Sequence, residues 1–137
     1  MLKYYKLNKT NNVYKSYLIV GMGGFLGAVA RYALGGWIGR RFGSSFPWGT
    51  LFINVSGSFF IALVMAICAE KYMVNPQWRL FLAVGFLGAY TTFSTFEYET
   101  GQLLRGGEFL YAALNVVLSV VVGFIALKLG ETLAKLI

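Results

Sequence analysis

Histidine is absent from the 137 residues, cysteine occurs once, proline twice, and acidic side chains number five. Each shortage removes a class of chemistry. Without histidine there is no Ser-His-Asp triad, no Cys-His pair and none of the usual zinc sites. The lone Cys68 excludes a disulfide framework and a thiolate metal cluster. Charged residues make up 12% of the chain, about half the share found in soluble globular domains. So little charge, beside 18% aromatic residues, excludes a disordered chain and a nucleic-acid-wrapping one. Most enzyme chemistry is gone before any motif is read. What is abundant is apolar: 58% of residues are hydrophobic, and the length allows a single domain. In that setting the net charge of +7 reads as loop and tail cations that orient membrane helices and meet anionic lipid.

Four apolar stretches follow a basic N-terminal tail of residues 1–16, and together they make one membrane domain over 17–137. They run from about Tyr17 to Gly39, Trp48 to Ala69, Trp78 to Leu104 and Phe109 to Leu127 or beyond. Roughly 20 apolar residues cross the hydrocarbon core, so each is long enough to span it. Charge interrupts the first only at Arg31 and the second nowhere, while the third is uncharged as far as Phe96. The connectors carry helix breakers: Ser44-Ser45-Phe46-Pro47, Asn75-Pro76 and Gly106-Gly107. Trp37, Trp48 and Trp78 fall near the helix ends, where an amphipathic ring favours the headgroup region. The expected fold is all-α and integral to the membrane, with four transmembrane helices.

A secretory signal peptide competes for the first stretch, because a Lys-rich start precedes the apolar run and Ala28-Val29-Ala30 imitates a cleavage site. Against it, the run is rich in glycine and continues past Arg31 as Tyr32-Ala33-Leu34. The tail, with Lys3, Lys6, Lys9 and Lys15 among Tyr and Asn, is expected to be a flexible arm touching lipid. With four spans, both termini and the second loop share one side, which carries those lysines with Lys71, Arg79, Lys128 and Lys135. The other side has Arg40, Arg41 and Arg105, plus Arg31 if it snorkels. Counting all of them places the termini in the cytoplasm. Without the tail lysines the two sides tie, and the body has almost no preferred orientation.

Polar side chains inside a bilayer are costly and therefore informative. The richest cluster is Gly85-Phe86-Leu87-Gly88-Ala89-Tyr90-Thr91-Thr92-Phe93-Ser94-Thr95-Phe96 in the third span. Two glycines and the Thr and Ser pairs predict a helix broken near the bilayer centre, where free carbonyls face a cavity or an ion. The alternative is an unbroken helix, with glycines for close packing and hydroxyls bonded back to their own backbone. Phe93 and Phe96 share one helical face, and Thr92 and Thr95 another. A phenyl edge is partly positive and can point at an anion; the same pair also serves as ordinary packing. Thr50, Asn54 and Gly57-Ser58 form a narrow polar stripe on the second span, with Asn54 either an ion contact or an interhelical hydrogen bond. Asn115, Ser119 and Gly123 repeat the pattern on the fourth, where helix packing is the favoured reading.

Three strings in order, one in each of the first three spans, give the chain a resemblance. They are Gly23-Gly24-Phe25-Leu26-Gly27-Ala28-Val29-Ala30-Arg31-Tyr32, then Gly49-Thr50-Leu51-Phe52-Ile53-Asn54 through Gly57-Ser58-Phe59, then Gly85-Phe86-Leu87-Gly88 leading into Thr91-Thr92-Phe93-Ser94-Thr95-Phe96. They resemble the Fluc (CrcB) fluoride channel family over roughly residues 17–135, leaving the tail outside. The resemblance implies a passive, fluoride-selective channel in the cell membrane of a prokaryote, built as an antiparallel dual-topology dimer with two pores along the subunit interface. Phe93 and Phe96 would line the pores edge-on, Asn54 would donate a hydrogen bond to fluoride, and Ser94 and Thr95 would supply hydroxyls. Thr50 and Ser119 belong to the same expected pathway. The carbonyls of Gly88 and Thr91 from both subunits would hold a central structural sodium ion at the helix break. Arg31 matches the family's vestibule arginine and Glu99 its pore-end glutamate, whereas Asn115 stands where members often have a tyrosine.

A four-span chain this short cannot enclose a hydrated pore alone, so the pathway is expected between chains. Gly23 with Gly27 and Gly35 with Gly39 are small-residue pairs suited to close helix contacts there. The tie in body charges permits insertion in both orientations; if the tail lysines fix one, the unit becomes a heterodimer with an oppositely biased paralogue. Two rival functions remain open: a small proton-coupled multidrug exporter, which needs a membrane-embedded carboxylate, and a non-conducting scaffold subunit. The five acidic residues, Glu70, Glu97, Glu99, Glu108 and Glu131, all fall near the expected span ends.

Overall fold

The computed structural model describes residues 12–69 and 75–137 in full, and the backbone alone of residues 2–11 and 70. All regular structure among the described residues is helical. Helix α1 runs Leu2–Phe42, α2 Trp48–Glu70, and the third span is assembled from α3 (Pro76–Arg79), a π-helical stretch (Leu80–Leu87), α4 (Gly88–Tyr90) and α5 (Phe93–Arg105), before α6 (Phe109–Leu136). Four helical segments are long and apolar enough to cross a membrane: Asn12–Phe42, Trp48–Ala69, Pro76–Arg105 and Phe109–Leu136. The N-terminal stretch, expected to be a flexible arm, instead continues α1 as helical backbone back to Leu2.

The chain stops and starts where local chemistry dictates. Gly43, at φ 86°, closes α1 and its N–H bonds the carbonyl of Gly39. Asn75 caps α3 by accepting the N–H of Gln77 at 3.0 Å, and Pro76 takes the first helical position, where its missing N–H costs nothing. Gly107, at φ 79°, turns the chain between α5 and α6.

Two pairings dominate the bundle. Helix α6 lays a stripe of buried small residues, Ala112, Gly123, Ala126, Gly130 and Ala134, along α2. At Gly130 an added methyl would meet the backbone carbonyl of Phe59, so the two helices cross nearly backbone to backbone. Helix α1 packs in the same manner on the π-helical stretch, with Gly23 against the Phe81 carbonyl and Gly27 against the Phe86 carbonyl. The expectation that this glycine pair serves contacts between chains is thereby corrected: Gly23 and Gly27 are consumed inside the subunit. Gly35 likewise abuts Gly49 of α2, and only Gly39 of the four has open space around it.

Large apolar side chains point outward instead. Phe25, Phe109, Leu110, Val120 and Phe124 are all more than 60% exposed, the arrangement a lipid environment requires. The small core is Ile53, Leu87 and Tyr90, flanked by Ala30, Leu34 and Phe86. It sits beside the interruption in the third span.

Candidate functional site

The third span does break, at Thr91 and Thr92, both of which have extended backbone (φ −79°, ψ 156° and φ −151°, ψ 115°). The local cause is competition for backbone partners. Thr91 directs both its N–H and its hydroxyl to the carbonyl of Leu87, at 3.1 and 3.0 Å. Thr92 caps α5: its hydroxyl oxygen accepts the N–H of Thr95 at 3.4 Å and donates to the Thr95 hydroxyl at 2.9 Å.

Neighbouring helices complete the break. Asn54 of α2 grips Thr92 from both sides, its Oδ1 accepting the Thr92 N–H at 2.9 Å and its Nδ2 donating to the Thr92 carbonyl at 3.1 Å. One turn on, Gly57 leaves room for the Thr91 methyl, which any side chain at that position would strike. Arg31 of α1 donates from Nε to the Ala89 carbonyl at 3.0 Å, placing a cation where the helix dipole is negative. Ser56 reaches the Tyr90 hydroxyl at 2.9 Å, and the Tyr90 ring stacks on Phe86 at 5.9 Å.

This arrangement strips two carbonyls of their helical donors. In an unbroken helix the N–H of Thr92 would bond the carbonyl of Gly88, and that of Thr95 the carbonyl of Thr91. Both donors are diverted, the first to Asn54 and the second to the Thr92 hydroxyl. Among the described residues no group of three or more His, Cys, Asp or Glu side chains could hold a metal ion.

A recess of about 830 Å³ leads from the end of the bundle bearing the 43–47 loop and Tyr111 inward to the break. It brings together Arg31, Thr50, Thr92, Thr95 and Glu99. Thr50 is buried and lines the recess together with Glu99. Glu97 and Glu99 lie on α5, toward the C-terminal end of the third hydrophobic segment. Glu99 lines the recess with its Oε2 buried and without a hydrogen-bond partner.

The remaining expected site residues are placed around the recess without lining it. Phe93 opens α5 and is 70% exposed; Phe96 is half-buried, with ring centroids 5.8 Å apart. Ser94 is exposed on the same turn. Ser119 faces inward from α6, its hydroxyl buried without a partner. Near it Asn115 is fully buried and donates to the Thr100 hydroxyl at 2.9 Å. Since Thr100 donates to the Phe96 carbonyl, it can only accept from Asn115, which leaves the Asn115 Oδ1 as the orphan. The sequence pairs Thr92 with Thr95 on one helical face, but its cap and its clamp by Asn54 were missed. The signal was there for the cap, a Thr three residues before another Thr at a helix start; nothing local pointed to Asn54 as its partner.

Comparisons with known proteins agree with this architecture. The profile of the family described as "CrcB-like protein, Camphor Resistance (CrcB)" matches residues 18–131. The chain is 48% identical to the "Fluoride-specific ion channel FluC" of Solibacter usitatus, covering 87% of this chain and 98% of that one. It is 40% identical to the protein of the same name in Sulfurihydrogenibium, over 90% and 99% of the two chains. In Methanosarcina barkeri a relative named "Fluoride-specific ion channel FluC 3" is 46% identical over 85% and 88%. With a profile match from residue 18 to 131 and relatives aligned along nearly their whole length, the chain belongs to the CrcB-like protein family.

Proposed function

We propose that this chain is the subunit of a fluoride-selective channel that lets fluoride leave the cell passively and so confers fluoride resistance. The observation that carries the reading is the broken third span with its clamped backbone, in a chain 48% identical to a fluoride-specific channel along 98% of that relative. The recess reaches the break and is not enclosed by this chain alone, which suits a pathway completed by a second subunit. In the proposed assembly two copies lie antiparallel and two pores run along their interface; a numbered relative in one archaeon keeps a paralogous partner in view.

Fluoride is small and strongly hydrated, so its entry requires donors that replace water. Asn54 gives one amide N–H to Thr92 and keeps the second free for an ion. The hydroxyls of Thr50, Ser94, Thr95 and Ser119 and the ring edges of Phe93 and Phe96 extend the track, with Arg31 and Glu99 in the vestibule. The carbonyls of Gly88 and Thr91, freed by the diversion of their donors, fit a structural sodium ion shared between subunits, which would offset the cost of nearby anions. Weak contacts in series permit rapid passage. An interior-negative potential supplies about 2.3 kcal/mol per charge per 100 mV for the exit of the anion. The deciding measurement is efflux from liposomes loaded with fluoride, followed with an ion-selective electrode. Rapid electrogenic loss of fluoride with chloride retained is expected; fluoride leaving no faster than chloride refutes the assignment.

A further inference from the structure

We infer that Asn54 is the positioning residue that creates the cation site at the break, by taking the Thr92 N–H that would otherwise close on the Gly88 carbonyl. The inference rests on the sodium reading above and adds a role for this side chain distinct from touching fluoride. Three observations carry it. Asn54 makes paired hydrogen bonds to the backbone of a residue 38 positions away, a geometry that fixes its amide on both sides. The donor it captures is the helical partner of Gly88, and the Gly88 carbonyl is one of the two proposed cation ligands. Its neighbour one turn on, Gly57, is shaped to receive Thr91, so the same face of α2 holds both extended residues of the break.

A helix interrupted in an apolar medium tends to heal, because each carbonyl gains by recovering its N–H. Asn54 prevents this by offering the Thr92 N–H a better-placed acceptor and returning a donor to the Thr92 carbonyl. Without Asn54 the Thr92 N–H is free to swing back to Gly88, and a cation must then compete with a hydrogen bond for the same oxygen.

Two variants separate this role from ion contact. Asn54→Leu keeps the size of the side chain and removes both hydrogen bonds; Asn54→Asp keeps an acceptor for the Thr92 N–H and loses the donor. The purified protein in detergent is melted across a sodium titration, with N-methyl-D-glucamine holding ionic strength constant, and fluoride efflux is measured in parallel. Asn54→Leu is expected to raise the sodium concentration at half-maximal stabilisation by roughly tenfold, the equivalent of one competing hydrogen bond. Asn54→Asp is expected to hold sodium as tightly as the wild type while conducting fluoride poorly. Should Asn54→Leu fail to fold, hydrogen exchange decides: the Thr92 amide must stay protected in sodium-free wild type and in Asn54→Asp. A wild-type sodium midpoint in Asn54→Leu, loss of sodium affinity in Asn54→Asp, or fast exchange at Thr92 overturns the inference. A wild type that melts identically with and without sodium instead removes the cation reading beneath it.

Discussion

Replacing Gly27 by alanine tests whether the third span is held by backbone contact with α1. The added Cβ would collide with the carbonyl oxygen of Phe86 and lie 2.9 Å from its carbonyl carbon and 3.1 Å from its Cα. All three atoms are backbone, so no rotamer change relieves the clash and one helix must move. Overpacking of this sort costs about 1–3 kcal/mol, and rigid partners place this site at or above the upper figure. Taking about 3 kcal/mol, and roughly 3 °C per kcal/mol for a chain of this size, the melting midpoint falls by about 10 °C. Gly39→Ala is the control: its Cβ meets nothing within 4 Å, and alanine favours helix by up to about 1 kcal/mol. Melting curves in detergent, read by size-exclusion chromatography after heating, compare the two directly. If Gly27→Ala melts within about 2 °C of Gly39→Ala, a difference under 1 kcal/mol, close backbone contact with α1 does not hold the third span.

Thr92→Ala removes the cap of α5 and should lower stability by about 1 kcal/mol, with Thr92→Ser recovering most of it; equal melting of all three would show that the cap does not hold this helix. Phe93→Ile and Phe96→Ile keep apolar bulk and lose the ring edge, so fluoride efflux from liposomes should drop while the oligomer persists on chromatography. Unchanged efflux in both takes the rings out of the pathway. Asn115→Leu discards an orphaned buried acceptor and leaves Thr100 bonded to the Phe96 carbonyl, so the loss should stay below about 1 kcal/mol, whereas Asn115→Ala opens a cavity and melts earlier; the reverse order would mean that the amide has a partner of its own.

Much of this molecule is written locally. Runs of some twenty apolar residues set the four spans; Asn75-Pro76, Gly43 and Gly107 set their ends; and crowding hydroxyls at Thr91 and Thr92 set the place where the third helix gives way. These features depend on the free energy of a few adjacent residues, which is why a linear pattern carries them. The π-helical stretch Leu80–Leu87 carries no such signal, since a change in hydrogen-bond register leaves composition untouched.

What the sequence alone determined is four membrane crossings and a weak point in the third, which reads as a broken or an unbroken helix until the structure shows the break. Only the tertiary structure decided how the interruption is kept open. Asn54 reads equally well as an ion contact or a helix-packing amide until the crossing of α2 and the third span brings it to both sides of Thr92. Gly23 and Gly27 read as a surface for another chain until the backbone of the π-helical stretch is found against them. Glu99 reads as an isolated carboxylate near a span end until a recess gathers it with Arg31, Thr50 and Thr92. In each case the partner is a backbone group or an opening distant in sequence. Helix crossing geometry selects such partners, and residue type does not encode it.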